Sequence, residues 1–199
     1  GLEAAIDSKT PEKKNSYLIR MVSELTNMEE MTSAFLEYAS MERQALHLKK
    51  QAEDVNELLK SAINDCQMLA EQKQVSVKLT ATSQNISYQL DYHWSYRALV
   101  NLISNAIGYA SSQVLLTLTT KNKQLIITVE DDGKGVAADK LDVIFTPFVK
   151  LDADRSREQG HFGLGLAICA KVVDWHQGTI TTSNDQHLSG ACFTLTLPL

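Results

Sequence analysis

Long hydrophobic runs are missing from this chain of 199 residues. Its uninterrupted apolar stretches are a few residues long, far short of the ~20 that cross a bilayer. The opening run, GLEAAIDSKTPEKK, has no apolar core of the kind a signal peptide carries. The chain itself is expected not to be membrane-inserted. Basic charge is also scarce: 19 Lys and Arg stand against 24 Asp and Glu, a net charge of -5. A nucleic-acid partner, which would need a basic patch or stripe, is not expected. Cysteine is sparse and scattered. Cys66, Cys169 and Cys192 show neither paired zinc spacing nor the even count of a disulfide framework, which fits a reducing compartment.

Apolar residues nonetheless make up 44% of the chain, enough for a core, and the length suits one domain or two small ones. Residues 1–14 are polar, carry Pro11, and read as the tail of one helix and a loop. From Asn15 to Gln44 no Gly or Pro intervenes. Leu18, Met21, Val22, Leu25, Met28, Thr32, Phe35 and Ala39 recur at spacings of three and four, close to a heptad seam. Arg20, Glu24, Glu30 and Glu37 take the opposite face. The expectation is one long helix whose stripe another helix must cover.

A second helix is expected from about Val55 to Gln72. The period then changes to two at Val75, Val77 and Leu79, and again around Tyr88 and Leu90. Residues 93–110 read as helix. Strands are expected at Gln113–Thr119 and Leu125–Glu130, about the turn Lys121-Asn122-Lys123. A helix over 164–175 and strands at Thr179–Ser183 and Ala191–Leu197 close the chain. Residues 131–163 are rich in Gly, Asp and charge, and so long a loop is usually functional or mobile. The expected organisation is a helical hairpin remnant over 1–45 and an α+β domain over 54–199, with helices on one face of a mixed sheet.

Four segments could carry chemistry. In ALVNLISNAIGYA, Asn101 and Asn105 are four apart and share a helical face. Two amides on a largely apolar helix are costly unless something binds them, and their oxygens are hard ligands suited to Mg²⁺. Two partly exposed asparagines without a role would look the same. In VEDDGKGV, Asp131, Gly133 and Gly135 form D-x-G-x-G. Glycines there let the backbone approach a flat ligand, and a buried carboxylate can accept from an exocyclic amine such as adenine's. An ordinary acidic turn has the same letters. After IFTPF, residues 144–148, the chain reaches Gly163 and Gly165 at a helix start, a ready phosphate site, with Lys150, Arg155 and Arg157 before it. Alone, G-L-G is weak evidence.

Order and spacing separate these readings. The four segments occur in sequence between Asn101 and Leu166, and there the chain resembles the sensor histidine kinases of two-component systems, less sharply their RstB-type subgroup. The segments look like the N, G1, F and G2 boxes of the family's ATP-binding domain. GTI…GACFTLTLPL looks like its last two strands, and FLEYASMER looks like the second helix of its dimerisation and phosphotransfer domain. The resemblance spans roughly residues 15–199. It implies a Bergerat-fold α/β sandwich preceded by a partial helical dimerisation hairpin.

The resemblance also implies roles. Asn105, with Asn101, would hold Mg²⁺ against the triphosphate of ATP through amide oxygens. Asp131 would bind the adenine amine, Gly133 and Gly135 would shape that pocket, and Tyr109 would pack beside the base or ribose. Lys150 would reach the γ-phosphate, so that Asn105 and Lys150 are the implied catalytic residues. Gly163, Leu164, Gly165 and Leu166 would hinge a lid and cap the phosphates. The family's γ-phosphoryl group passes to a histidine and then to a response regulator aspartate, from a homodimer in the bacterial inner membrane whose kinase part is cytoplasmic.

Several positions depart from the family pattern. Gly108 stands where Lys or Arg is usual, and His161 replaces the first glycine of the usual G-x-G-x-G. No phosphoacceptor H-box is present: His47, His93, His161, His176 and His187 all lie in other contexts. Related ATPases such as gyrases carry Glu where this chain has Asn101, and an amide cannot take a proton from water. The sequence thus favours a kinase module without its own acceptor. A nucleotide-binding scaffold, which Gly108 and His161 would suit, is the alternative.

Overall fold

The computed structural model describes residues 11–44, 47–81, 86–149, 163–184 and 187–199. Helix α1 (Pro11–Gln44) leads to strand β1 (Lys50–Asp54), helices α2 (Val55–Asp65) and α3 (Gln67–Lys73), and strands β2 (Ser76–Ala81) and β3 (Ser87–Asp91). Helix α4 (Tyr92–Tyr109) and strands β4 (Gln113–Lys121) and β5 (Gln124–Asp131) follow. A 3-10 turn (Ala138–Lys140), helix α5 (Gly165–Trp175) and strands β6 (Thr179–Ser183) and β7 (Cys192–Pro198) complete the chain.

The main sheet has the order β2-β4-β5-β7-β6. β2 is parallel to β4, and the other neighbours are antiparallel. The period-two pattern sends Leu116, Leu118, Leu125, Val129 and Phe193 to one face, where they meet Leu58, Leu59, Leu102, Ile103 and Ile168 of α2, α4 and α5. Each such side chain, fully buried, stabilises by about 1.5–3 kcal/mol. On the other face Thr80, Thr117, Thr128, Thr194 and Thr181 stand in one register row across all five strands. β-Branched threonine suits a half-buried pleated surface. This is the expected α+β sandwich. At the β4–β5 hairpin, Asn122 and Lys123 both have positive φ (53 and 59), as a two-residue type I′ turn requires.

Two matching corners place α2 and α4. β1 and β3 pair as an antiparallel ribbon, and each runs straight into a helix. Asp54 caps α2 by accepting from Asn56 N and Glu57 N, and Asp91 caps α4 by accepting from Trp94 N. Strand β1 departs from the sequence expectation. Its residues, KQAED, have no apolar alternation, and only pairing with β3 makes them a strand. The helix expected over Val55–Gln72 is broken at Cys66, which is buried with Sγ 3.9 Å from the Val100 carbonyl.

α1 begins four residues before the expected start, with Pro11 at its first helical position, where the missing N–H costs nothing. At about 1.5 Å per residue it is roughly 50 Å long. Leu18, Val22, Leu25 and Met28 are 53–65% exposed in the single chain. The last third of α1 meets the sandwich. Met41 is fully buried, and Phe35 lies 6.2 Å from the Phe148 ring. Lys171 Nζ sits 5.2 Å from the Tyr38 ring centroid. Glu37, expected on the solvent face, instead accepts from Arg97 Nε (3.1 Å) and Nη2 (2.9 Å). No described helix is long and apolar enough to cross a membrane.

His176 is structural and buried. Its Nε2 accepts from Asp91 N at 3.1 Å, and its Nδ1 faces the Val172 carbonyl at 2.8 Å. That network requires the neutral ring with hydrogen on Nδ1. Burial holds its pKa below the ordinary 6.5. Lys50 adds to the effect, while the Val172 hydrogen bond and the Asp91 charge oppose it. The folded state therefore binds fewer protons than the unfolded one. The resulting stability is present above about pH 6.5 and is lost as pH falls through the lowered folded value. Melting temperature should drop on acidification from pH 7.5, and His176→Gln should flatten that slope.

Candidate functional site

Helix α4 is the floor of the site, and its residues come within reach of both glycine segments. At its C-terminal end, a Cβ added to Gly133 would stand 2.3 Å from the Tyr109 carbonyl oxygen, so the D-x-G-x-G turn lies directly on that helix end. Eight residues earlier, a Cβ on Gly165 would stand 3.6 Å from Cβ and Cγ of Asn101. The N-terminus of α5 therefore abuts Asn101. These two places are about 12 Å apart along the helix, with half-buried Asn105 between them. Asn101, Asn105 and Tyr109, four residues apart in turn, and both glycine segments thus border one surface.

The adjacent aspartates at the end of β5 have different jobs. Asp131 is buried, and its Oδ1 accepts from Gly133 N (2.8 Å) and Ala191 N (3.3 Å). Burial raises its pKa, the neighbouring Asp132 charge adds to the rise, and those two hydrogen bonds oppose it. Asp132 accepts through Oδ1 from Ser111, Ser112 and Gln113 N–H groups, and through Oδ2 from Ser112 Oγ at 2.6 Å. Desolvation pushes its pKa up, but the four bonds outweigh this and bring it down to about 2. Asp132 fastens the end of α4 to β5. Among the described residues no hydrogen-bond donor reaches the second carboxylate oxygen of Asp131, which leaves it for another donor.

Gly135 has φ +72, a backbone state that L side chains rarely adopt. Gly163 has φ +73, and its carbonyl accepts from Phe148 N at 2.8 Å, which brings the F-x-P-F segment onto the start of α5. Leu164 is fully buried and Leu166 packs against the core. Lys150, Arg155, Arg157 and His161 lie outside the described residues. Two supports have no role assigned to them in the sequence. Gly190 donates from its N–H to the Asp131 carbonyl (3.1 Å), and Asn184 holds Val136. Their letters sit among ordinary loop residues, and only the tertiary contact reveals them.

Three shielded side-chain polar atoms lack a partner among the described residues, Asn101 Nδ2, Thr128 Oγ1 and Thr182 Oγ1, and the first of them lies at the site. Buried amides are almost always paired. A donor beside a helix N-terminus suits an anionic oxygen such as phosphate's, and the amide oxygens of Asn101 and Asn105 are of the type that ligates Mg²⁺. The donor set fits a metal-bound polyphosphate.

The chain is similar to known proteins. The family model described as histidine kinase-, DNA gyrase B-, and HSP90-like ATPase matches residues 90–199, more than half of the chain. Sensor protein RstB of Escherichia coli (strain K12) is 32% identical over 176 residues, covering 88% of this chain and 40% of RstB. Sensor histidine kinase ZraS of Salmonella typhi is 30% identical over 204 residues, covering 100% of this chain and 42% of ZraS. Among solved structures, full-length ShkA in complex with AMPPNP matches with a TM-score of 0.77 at 23% identity, over 98% of this chain and 40% of that one. The chain thus spans about two fifths of the length of these relatives. Its sandwich is a Bergerat fold, and the chain belongs to the histidine kinase-, DNA gyrase B- and HSP90-like ATPase family, with sensor histidine kinases as its relatives there.

Proposed function

We propose that this chain is the ATP-binding module of a sensor histidine kinase. It would bind Mg-ATP across α4 and present the γ-phosphoryl group to a histidine that the described elements do not supply. The observation that carries the reading is that buried Asp131 and the Asn101 amide, unpaired among the described residues, flank the two ends of one helix surface. Asp131 would accept from the base amine. Asn101 and Asn105 would hold Mg²⁺, which when bound neutralises phosphate charge. Gly163, Leu164, Gly165 and Leu166 would close over the phosphates, with Lys150 at the γ-phosphate. Such transfer needs positioning and charge neutralisation more than covalent help. With an amide at Asn101, the site has no base there to activate water, which favours transfer over hydrolysis.

The reading extends to the longer protein. Residues 1–45 would form part of the dimerisation hairpin, with the exposed Leu18–Met28 stripe covered in a homodimer. Residues 54–199 would be the catalytic domain, joined by β1 through its pairing with β3. The phosphoryl group would go on to a response regulator, and the intact protein would sit in the bacterial inner membrane. Labelled ATP should leave this chain unlabelled and should label a separate polypeptide carrying an H-box hairpin, slowly, because no tether raises its local concentration. Acid-labile label on this chain would contradict the reading. Binding of ATP without transfer to any acceptor would favour the scaffold alternative, with Gly108 and His161 the first positions to restore.

The metal assignment has its own test. Asn105→Ala should leave the apo melting temperature unchanged and remove the extra stabilisation that Mg²⁺ adds to ATP. If Mg-ATP raises the melting temperature of Asn105→Ala as much as that of the parent, Asn105 is not a ligand.

A further inference from the structure

The turn after Asp131 is gripped from outside by a side chain that no motif singles out. Asn184 follows β6 directly. Its Oδ1 accepts from Val136 N at 2.9 Å, and its Nδ2 donates to the Val136 carbonyl at 2.7 Å. That is the pair of bonds one strand residue makes with its neighbour, supplied here by a carboxamide. The same Oδ1 lies 2.7 Å from where a Cβ on Gly135 would be. Asn184 therefore accounts for the absence of a side chain at 135, beyond the positive φ.

The connection that Asn184 opens also holds β5. His187 N donates to the buried Glu130 carboxylate at 3.1 Å, and Ala191 N donates to Asp131 Oδ1. One connection thus secures both the strand end that carries Asp131 and the glycine turn that follows it. Gly133 N, within that turn, donates to the same Asp131 oxygen. A shift of the turn would rotate the carboxylate.

We infer that Asn184 is a positioning residue for recognition of the nucleotide base. By pairing with Val136 it fixes the Gly133–Gly135 turn, and through Gly133 it fixes the direction in which Asp131 presents its second oxygen. The inference rests on the nucleotide-binding reading above. A brace that served stability alone would lower the melting temperature and leave base selectivity unchanged.

The test is calorimetric titration of the whole chain with ATP, ADP and GTP in Mg²⁺, for the parent, Asn184→Ala, Asn184→Ser, Gly135→Ala and the Gly135→Ala/Asn184→Ala pair. Asn184→Ala should weaken ATP and ADP by the same factor, roughly tenfold, and reduce the preference for ATP over GTP by a similar factor. Asn184→Ser, which keeps one hydrogen-bonding oxygen, should fall between and stands in if the alanine variant does not fold. Gly135→Ala should cost less affinity in the Asn184→Ala background than in the parent, because the 2.7 Å contact is gone. A parent that prefers ATP, with variants that keep both affinity and preference, overturns the inference. So does strict additivity of the two substitutions. A parent that binds none of the nucleotides overturns the nucleotide reading itself.

Discussion

Asp131→Asn should weaken ATP binding by roughly 1–3 kcal/mol, about fivefold to 150-fold in Kd, without unfolding the chain. The reason lies in how the carboxylate is used. Oδ1 is committed to Gly133 N and Ala191 N, so the asparagine oxygen must stay there to satisfy both donors. The new NH₂ then takes the place of Oδ2 and turns a donor toward the donor amine of adenine. GTP, which offers a carbonyl at that edge, should lose less affinity or gain some. Calorimetry with both nucleotides separates this from general damage, which would weaken both. For the parent, burial has already raised the Asp131 pKa above its ordinary 3.8. The loss of ATP affinity on acidification should therefore begin above that value. Equal ATP affinity in parent and variant would remove Asp131 from the site.

Gly190→Ala should be the most damaging single methyl in the sandwich. Its Cβ would stand 2.3 Å from both the backbone oxygen and Oδ1 of Asp131, and 2.5 Å from Gly133 N. Two of these atoms are backbone and the third is doubly hydrogen-bonded, so none can step aside. Overpacking of this kind costs about 1–3 kcal/mol. That corresponds to a melting temperature lower by roughly 2–10 °C for a chain of this size. ATP affinity should fall with it, because the displaced atoms are those that aim Asp131. Gly165→Ala is the contrasting control. Its Cβ would meet Asn101 at 3.6 Å, an ordinary contact, so the melting temperature should hold. Gly190→Ala with the parent's melting temperature and affinity would mean that the strand end tolerates a shift the geometry does not allow.

The parts that the sequence made legible are those where local chemistry and tertiary structure agree. The alternation of Val114, Leu116 and Leu118 marks a strand because one face is buried against helices. Asp131 stands out through its spacing from Gly133 and Gly135, and the structure separates it from Asp132, which the letters alone do not. Strand β1 was illegible because KQAED is polar on both faces and owes its conformation to β3. The break at Cys66 has no Gly or Pro to announce it. The contacts of Gly190 and Asn184 are invisible in sequence because they are made with residues 48 to 59 positions away, at Val136 and Asp131. Glu37 shows the opposite failure: a charge on the polar side of a helical pattern reads as solvated until Arg97 is seen beside it.

The most direct measurement is titration of the chain with ATP in the presence and absence of Mg²⁺. Mg-ATP binding across α4 predicts a one-to-one complex that strengthens with Mg²⁺ in the parent, is weakened by Asp131→Asn, and loses its Mg²⁺ dependence in Asn105→Ala. Absence of binding by the folded parent, or binding that neither substitution changes, would contradict it.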